Sequence, residues 1–216
     1  MDELSTQPFD WESVKVVSWD LDGTLYPLEP VVKAFKRHII SDLKKGRIWA
    51  TLTTGFSLWR RLTTMRKVRD RGGIEGLPKP SEETNVKLRM AQWHSDAVGD
   101  VGAQPGLVDL LKAIEITGRR QIVITDYEAG GKLDALNLPI TFERVYEGEV
   151  LGAIKPSPHL FKTILDDLGI EPHALLHIGD RDESDGVAAR TAGCQVLILG
   201  KDFQSYVELR KQLLNS

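Results

Sequence analysis

At 216 residues the chain has room for one well-buried domain with an insertion, or for two small domains. Apolar residues make up 41% and charged residues 27%, an ordinary globular composition, and no apolar run is near the length of a helix that crosses a bilayer. The net charge of −3 hides an asymmetry: residues 27–100 hold 15 of the 28 Lys and Arg but only 8 of the 31 Asp and Glu, a balance of +7 that leaves −10 elsewhere and argues for two parts with different jobs.

The start, Met1 to Gln7, is acidic and polar and lacks the basic and then apolar regions of a secretory signal. Cys194 is the only cysteine, so an internal disulfide and a cysteine metal cluster are both excluded. A reducing, cytoplasmic setting is therefore expected, with Cys194 a buried structural thiol. Residues 1–13 read as a polar lead-in, with Phe9 and Trp11 packing down on the domain.

The first strand comes next. Val14, Val16 and Val17 form the short β-branched run expected of a strand covered on both faces, and Gly23 lets the chain turn sharply where it ends. Asp20 and Asp22 sit two apart at that end, so strand geometry would put their side chains on one side. Pro30 then suits the first turn of a helix carrying Val31, Ala34, Phe35, Ile39 and Leu43. A second helical run holds Phe56, Trp59, Leu62, Met65 and Val68, and a third, with Ser81 as its N-cap, holds Val86, Met90 and Trp93. Residues 27–103 thus read as a small all-helical insertion. Residues 1–26 and 104–216 read as the core.

From Pro105 onward helices and strands alternate. Strands are expected at 121–125, near Val145 and Tyr146, at 174–178 and at 195–199; helices are expected around Leu107–Ile114, Leu133–Leu136, 157–168, 185–192 and from about 204. That alternation implies right-handed crossovers and a mostly parallel sheet: an α/β, three-layer, Rossmann-like fold. Ligands in such a sheet bind outside the carboxyl ends of the strands. Three strands end there in polar residues: Asp20 and Asp22, then Thr125 and Asp126, then Asp180 with Asp182, Glu183 and Asp185 behind it. Lys155 precedes a helix between the last two.

Taken in order, Asp20-Leu21-Asp22-Gly23-Thr24-Leu25, Thr125, Lys155-Pro156 and Gly179-Asp180 through Asp185 resemble the four motifs of the haloacid dehalogenase superfamily, specifically its phosphatase-type members with a helical cap inserted after the first strand. The resemblance implies that Asp20 is a nucleophile that takes up a phosphoryl group, and that Asp22 is the general acid and base. It implies a Mg²⁺ ion held by the Asp20 carboxylate, the Asp22 backbone carbonyl and the Asp180 carboxylate, with Asp185 behind them. Thr125 and Lys155 would hold phosphoryl oxygens. The expected partner is a small phosphorylated metabolite; nucleic acid is disfavoured in an acidic chain, and the protein is expected to be a monomer or homodimer. One departure stands out, since Asp126 follows Thr125 where the family commonly has Asn or Gly; facing the site, it would repel a dianion or else bind a basic substrate group or metal-linked water, and the alternative is that it points away. Trp49, Trp59 and Trp93 are expected to form the insertion's small core, or else to stack on a substrate ring. A phosphomutase of the same family and a phospho-accepting receiver module are the rival readings.

Overall fold

The computed structural model describes residues 9–77, 85–129 and 131–214. Ser81, expected as an N-cap, and the first eight residues of the lead-in lie outside the described residues. Five strands, β1 (Val16–Trp19), β2 (Arg120–Thr125), β3 (Arg144–Glu147), β4 (Leu175–Gly179) and β5 (Gln195–Ile198), form one sheet in the order β3-β2-β1-β4-β5. Every pairing is parallel, and β1 lies at the centre with Trp19 beside Val123 and Ile178.

Side chains alternate across a strand, and here the alternation sorts the core into two layers. On one face Val17, Trp19, Val123, Leu176 and Ile178 pack against α4 (Leu107–Ile116) and α9 (Tyr206–Leu214). On the other, Val16, Ile122, Ile124 and Leu175 pack against α7 (Pro158–Leu168) and α8 (Val187–Thr191). The result is the three-layer α/β fold that the strand and helix alternation predicts. Short helices α5 (Lys132–Leu136) and α6 (Gly148–Leu151) follow β2 and β3. From β1 the chain reaches neighbours on both sides, so the strand order reverses beside it and opens a crevice at its carboxyl end.

Between β1 and α4 stand three helices, α1 (Leu28–Lys44), α2 (Ile48–Asp70) and α3 (Asn85–Val101). Val31, Ala34 and Phe35 of α1 meet Trp93, Ala97 and Val98 of α3, with the Phe35 and Trp93 rings edge to face. Helix α2 departs from expectation. Of its apolar run only Met65 and Val68 are buried, against Ile154 of the core, while Phe56, Trp59 and Leu62 face outward. The three tryptophans do not form one core: Trp93 is buried, but Trp49 is 82% and Trp59 61% exposed. The reason is that Thr51 and Thr54 turn inward along the first half of α2, and its second half leans on the sheet domain rather than on α1 and α3. At its foot the Ile154 amide donates to the Gly73 carbonyl at 2.8 Å. Gly73 has φ +80°, and a Cβ there would run into the Ile154 carbonyl, so only glycine fits.

Asp42 is the polar centre of the insertion. It is nearly buried and accepts hydrogen bonds from Trp93 Nε1 at 3.2 Å, Arg89 at 3.1 Å and Arg47 at 3.1 Å. Burial alone would raise its pKa; the Trp93 and Arg89 hydrogen bonds overcome that and hold it below the usual carboxylate value. Asp42→Ala is expected to destabilise the insertion by about 2 kcal/mol, because it strands a buried indole N–H and two guanidinium partners. A pKa lowered on folding adds stability that is present above the unfolded value and lost as pH falls through the folded one. The gap in melting temperature between wild type and variant should therefore close below about pH 4. A gap that stays constant with pH would show that the Asp42 charge contributes nothing. Among the described residues, no helix is long and apolar enough to cross a membrane.

Candidate active site

The end of β1 is pinned before any ligand arrives. The Asp20 amide donates to the Ile178 carbonyl at 2.9 Å, extending the ladder one residue and fixing where the Asp20 carboxylate points. Gly23 then turns the chain at φ +104°, and a Cβ there would collide with the Asp180 carboxylate. The turn brings Thr24 back so that its Oγ1 donates to Asp20 Oδ2 at 3.1 Å. The other oxygen, Oδ1, accepts from Lys155 Nζ at 2.5 Å. Asp20 and Lys155 are almost wholly buried.

Lys155 also donates to Asp185 Oδ1 at 2.6 Å, and Asp185 Oδ2 accepts from the Arg181 amide at 3.1 Å. Behind them His177 Nε2 lies 3.3 Å from Asp185 Oδ1, and His177 Nδ1 lies 2.9 Å from Ser18 Oγ. A carboxylate only accepts, so Nε2 carries a ring proton; burial lowers the His177 pKa and favours the neutral ring, whose Nδ1 accepts from the Ser18 hydroxyl at 2.9 Å in preference to the Leu176 carbonyl at 3.3 Å. A buried polar chain thus runs from the middle of the sheet through Asp185 and Lys155 to Asp20. One cation serves two carboxylates in a dry site, and the pKa directions follow. Burial pushes the Asp20 carboxyl up, to about 7, against the opposing pull of Lys155. Burial also opposes the charges on Asp185 and Lys155, but their mutual attraction wins: Asp185 is held well below the usual carboxylate value and Lys155 above the usual lysine value.

Asp20, Asp180 and Asp185 offer oxygens that all lie within 4.8 Å of one another. Among the described residues, Asp180 Oδ1 is buried and accepts no hydrogen bond, its ion-pair partner Arg181 Nε standing off at 3.6 Å, and burial raises the Asp180 pKa against the pull of Arg181. A hard oxygen donor set that includes a buried carboxylate oxygen without a hydrogen bond fits a small divalent cation such as Mg²⁺.

The Asp22 carboxylate is not part of this trio. Both its oxygens face Lys132 Nζ, at 2.9 and 3.0 Å, and Oδ1 also accepts from the Tyr26 hydroxyl. Burial works against its charge, yet Lys132 and Tyr26 lower its pKa. Thr125 is buried at the end of the adjoining strand β2, with its Oγ1 accepting from the Tyr127 amide at 3.4 Å. Thr125, Asp20, Lys155, Asp180 and Asp185 thus converge at one sheet edge, as their order predicts.

The profile of the haloacid dehalogenase-like hydrolases matches residues 14–193. The chain belongs to this family. It is 28% identical to phosphoglycolate phosphatase 1 of Pseudomonas aeruginosa, over 86% of this chain and 70% of the relative. It is 23% identical to glyceraldehyde 3-phosphate phosphatase of Pyrococcus abyssi, over 85% of this chain and 80% of the relative. In fold it is similar to the 2-haloacid dehalogenase of Pseudomonas syringae, with a TM-score of 0.60 and 19% identity over 94% of this chain and 98% of the other. Both curated relatives are phosphatases, and the chain is accordingly a phosphoric monoester hydrolase of the haloacid dehalogenase type.

Within this hydrolase the departure at Asp126 has a structural explanation. Its carboxylate is turned away from Asp20: Oδ1 accepts from the Lys155 amide at 2.8 Å, and Oδ2 accepts from Arg69 of α2 at 3.0 Å. Asp126 therefore ties the insertion to the loop that presents Lys155. Arg69 also donates to the Tyr127 hydroxyl at 3.2 Å, and Arg61 pairs with Glu149 at 2.5 Å, so two turns of α2 are held to the sheet domain by charge. Sequence reasoning missed Thr24, His177, Lys132 and Arg69. His177 and Ser18 carry a signal, being polar in otherwise apolar strands; Lys132 and Arg69 carry none.

Proposed function

We propose that this hydrolase is a Mg²⁺-dependent phosphatase that cleaves a small phosphomonoester through an aspartyl-phosphate intermediate. The observation that carries the reading is the buried Asp20 carboxylate, held between Thr24 and Lys155 with Asp180 and Asp185 beside it. Mg²⁺ would be held by the Asp20 and Asp180 carboxylates and the Asp22 backbone carbonyl, with Asp185 behind, and would offset the repulsion between dianion and carboxylates.

The chain's own residues do the rest. An Asp20 oxygen attacks phosphorus, the bond from phosphorus to the leaving oxygen breaks, and Asp22 gives that oxygen its proton. Water then attacks phosphorus, Asp22 takes the proton back, and the bond to Asp20 breaks to release phosphate. Lys155 and Thr125 hold phosphoryl oxygens through both steps. Helices α1 to α3, residues 27–103, act as a cap that excludes water and contacts the substrate's remaining part. A cytoplasmic setting goes with this reading, since Cys194 is a lone thiol whose burial pushes its pKa up to about 12.

A phosphate-release panel tests the proposal. Short phosphorylated acids and aldehydes come first, as the relatives' substrates are phosphoglycolate and glyceraldehyde 3-phosphate, followed by sugar phosphates and nucleoside monophosphates. Turnover is expected with Mg²⁺, with a fall to background in EDTA and recovery on adding Mg²⁺ back. Undiminished turnover in EDTA, or one stable phosphorylation per chain without turnover, would overturn it.

A further inference from the structure

The Asp22 carboxylate makes no contact with the other carboxylates of the site, and an unexpected residue determines where it points. Lys132 opens α5 and is 7% exposed, so its ammonium is committed to the interior. Both of its hydrogen bonds to Asp22, at 2.9 and 3.0 Å, fall in the range of well-formed charge-assisted pairs. Tyr26, 1% exposed, closes on Asp22 Oδ1 from the turn after β1. The carboxylate is thereby gripped from two directions.

Lys132 is itself held. Ser95 Oγ of α3 donates to the Gly131 carbonyl at 3.0 Å, and a Cβ on Gly131 would sit 2.9 Å from that hydroxyl oxygen. Gly99 of α3 faces Ala135 of α5 with room for ordinary contact only, so the insertion packs closely on the helix that carries Lys132. Buried lysines are costly unless paired, and among the described residues the carboxylate that pairs with this one is Asp22.

We infer that Lys132 is a positioning residue for the phosphatase reaction, holding the ionised Asp22 carboxylate where it can take the proton from the attacking water. The inference rests on the acid and base role proposed above for Asp22. A general base acts only within hydrogen-bond reach of the proton it takes, so a carboxylate released from Lys132 would lose rate without losing substrate affinity.

The test uses p-nitrophenyl phosphate with wild type, Lys132→Met, Asp22→Asn and the double variant. The p-nitrophenolate leaves without help from an acid, so the first step survives in Lys132→Met while the water step slows. The expected result is a burst of close to one p-nitrophenol per chain, followed by turnover about 100-fold below wild type with KM falling in step, so that kcat/KM changes less than about threefold. Because Lys132 acts through Asp22, Lys132→Met should cost nothing further in the Asp22→Asn background. Lys132→Gln, which keeps a hydrogen-bond donor but no charge, replaces Lys132→Met if the latter fails to melt cooperatively. Turnover within twofold of wild type, a raised KM with kcat unchanged, or an equal further loss in the Asp22→Asn background would each overturn the inference. Full turnover in Asp22→Asn alone would instead overturn the acid and base reading, so the two failures are distinguishable.

Discussion

Asp20→Asn is expected to abolish phosphate release, by about 10⁴-fold or more, and to leave the fold in place. The size of the loss follows from the proposed role: an amide oxygen is a poor nucleophile toward phosphorus, and groups that act as one catalytic unit lose nearly everything when the attacking member is removed. The fold survives because Asn is nearly isosteric and its carbonyl oxygen still accepts from either Lys155 or Thr24, the two groups that hold the native side chain. It also relieves a buried carboxylate whose pKa burial has pushed up to about 7, so the melting temperature should stay level or rise slightly. Acid quench during turnover, followed by mass spectrometry, should show one phosphoryl group on the wild-type peptide containing Asp20 and none on the variant. Release of phosphate by the variant at more than about a hundredth of the wild-type rate would remove Asp20 from the role of nucleophile.

Lys155→Met has the second large effect, and it falls on stability and turnover together. Lys155 is 1% exposed, and its ammonium touches both Asp20 and Asp185. Removing one member of a buried ion pair costs about 3–5 kcal/mol, because the partners keep their desolvation penalty without the attraction. The two consequences can be separated with Asp185→Asn. In the double variant one of the two stranded charges is gone, so part of the lost stability returns. Turnover does not, since the phosphoryl oxygens still lack their cation. Urea unfolding at fixed pH measures the first effect and phosphate release the second. A double variant that recovered turnover along with stability would show Lys155 to be purely structural.

The buried chain from Ser18 through His177 and Asp185 explains why Lys155 is so tightly placed. Its neighbours are fixed from behind by hydrogen bonds inside the sheet, and its backbone is fixed by Asp126. The same Asp126 accepts from Arg69, so a helix of the insertion and the loop of the proposed phosphate-holding lysine share one carboxylate. Electrostatic preorganisation of this kind needs rigid support behind the groups that face the substrate.

Much of this was legible in the order of residues. The β-branched runs, the 3.6-residue spacing of Leu160, Phe161, Ile164 and Leu165, and the glycines at element ends specify strands and helices locally, and their alternation specifies a parallel sheet. In a parallel sheet all strand ends with the same polarity lie along one edge, so Asp20, Thr125, Lys155 and Asp180 could be brought together without coordinates. Contacts between surfaces that no local pattern encodes were decided only in three dimensions. Periodicity along α2 marks an apolar stripe but not its partner, so the outward turn of Phe56, Trp59 and Leu62 and the docking of Met65 on Ile154 depend on how the helix lies against the sheet. Strand spacing put Asp20 and Asp22 on one side, whereas β1 ends at Trp19 and the turn through Gly23 leaves Asp22 to Lys132, 110 positions away. Order in the chain determined which groups share the edge; the folded packing determined which of them face one another, because charge pairing acts through space and carries no periodic signature in the sequence.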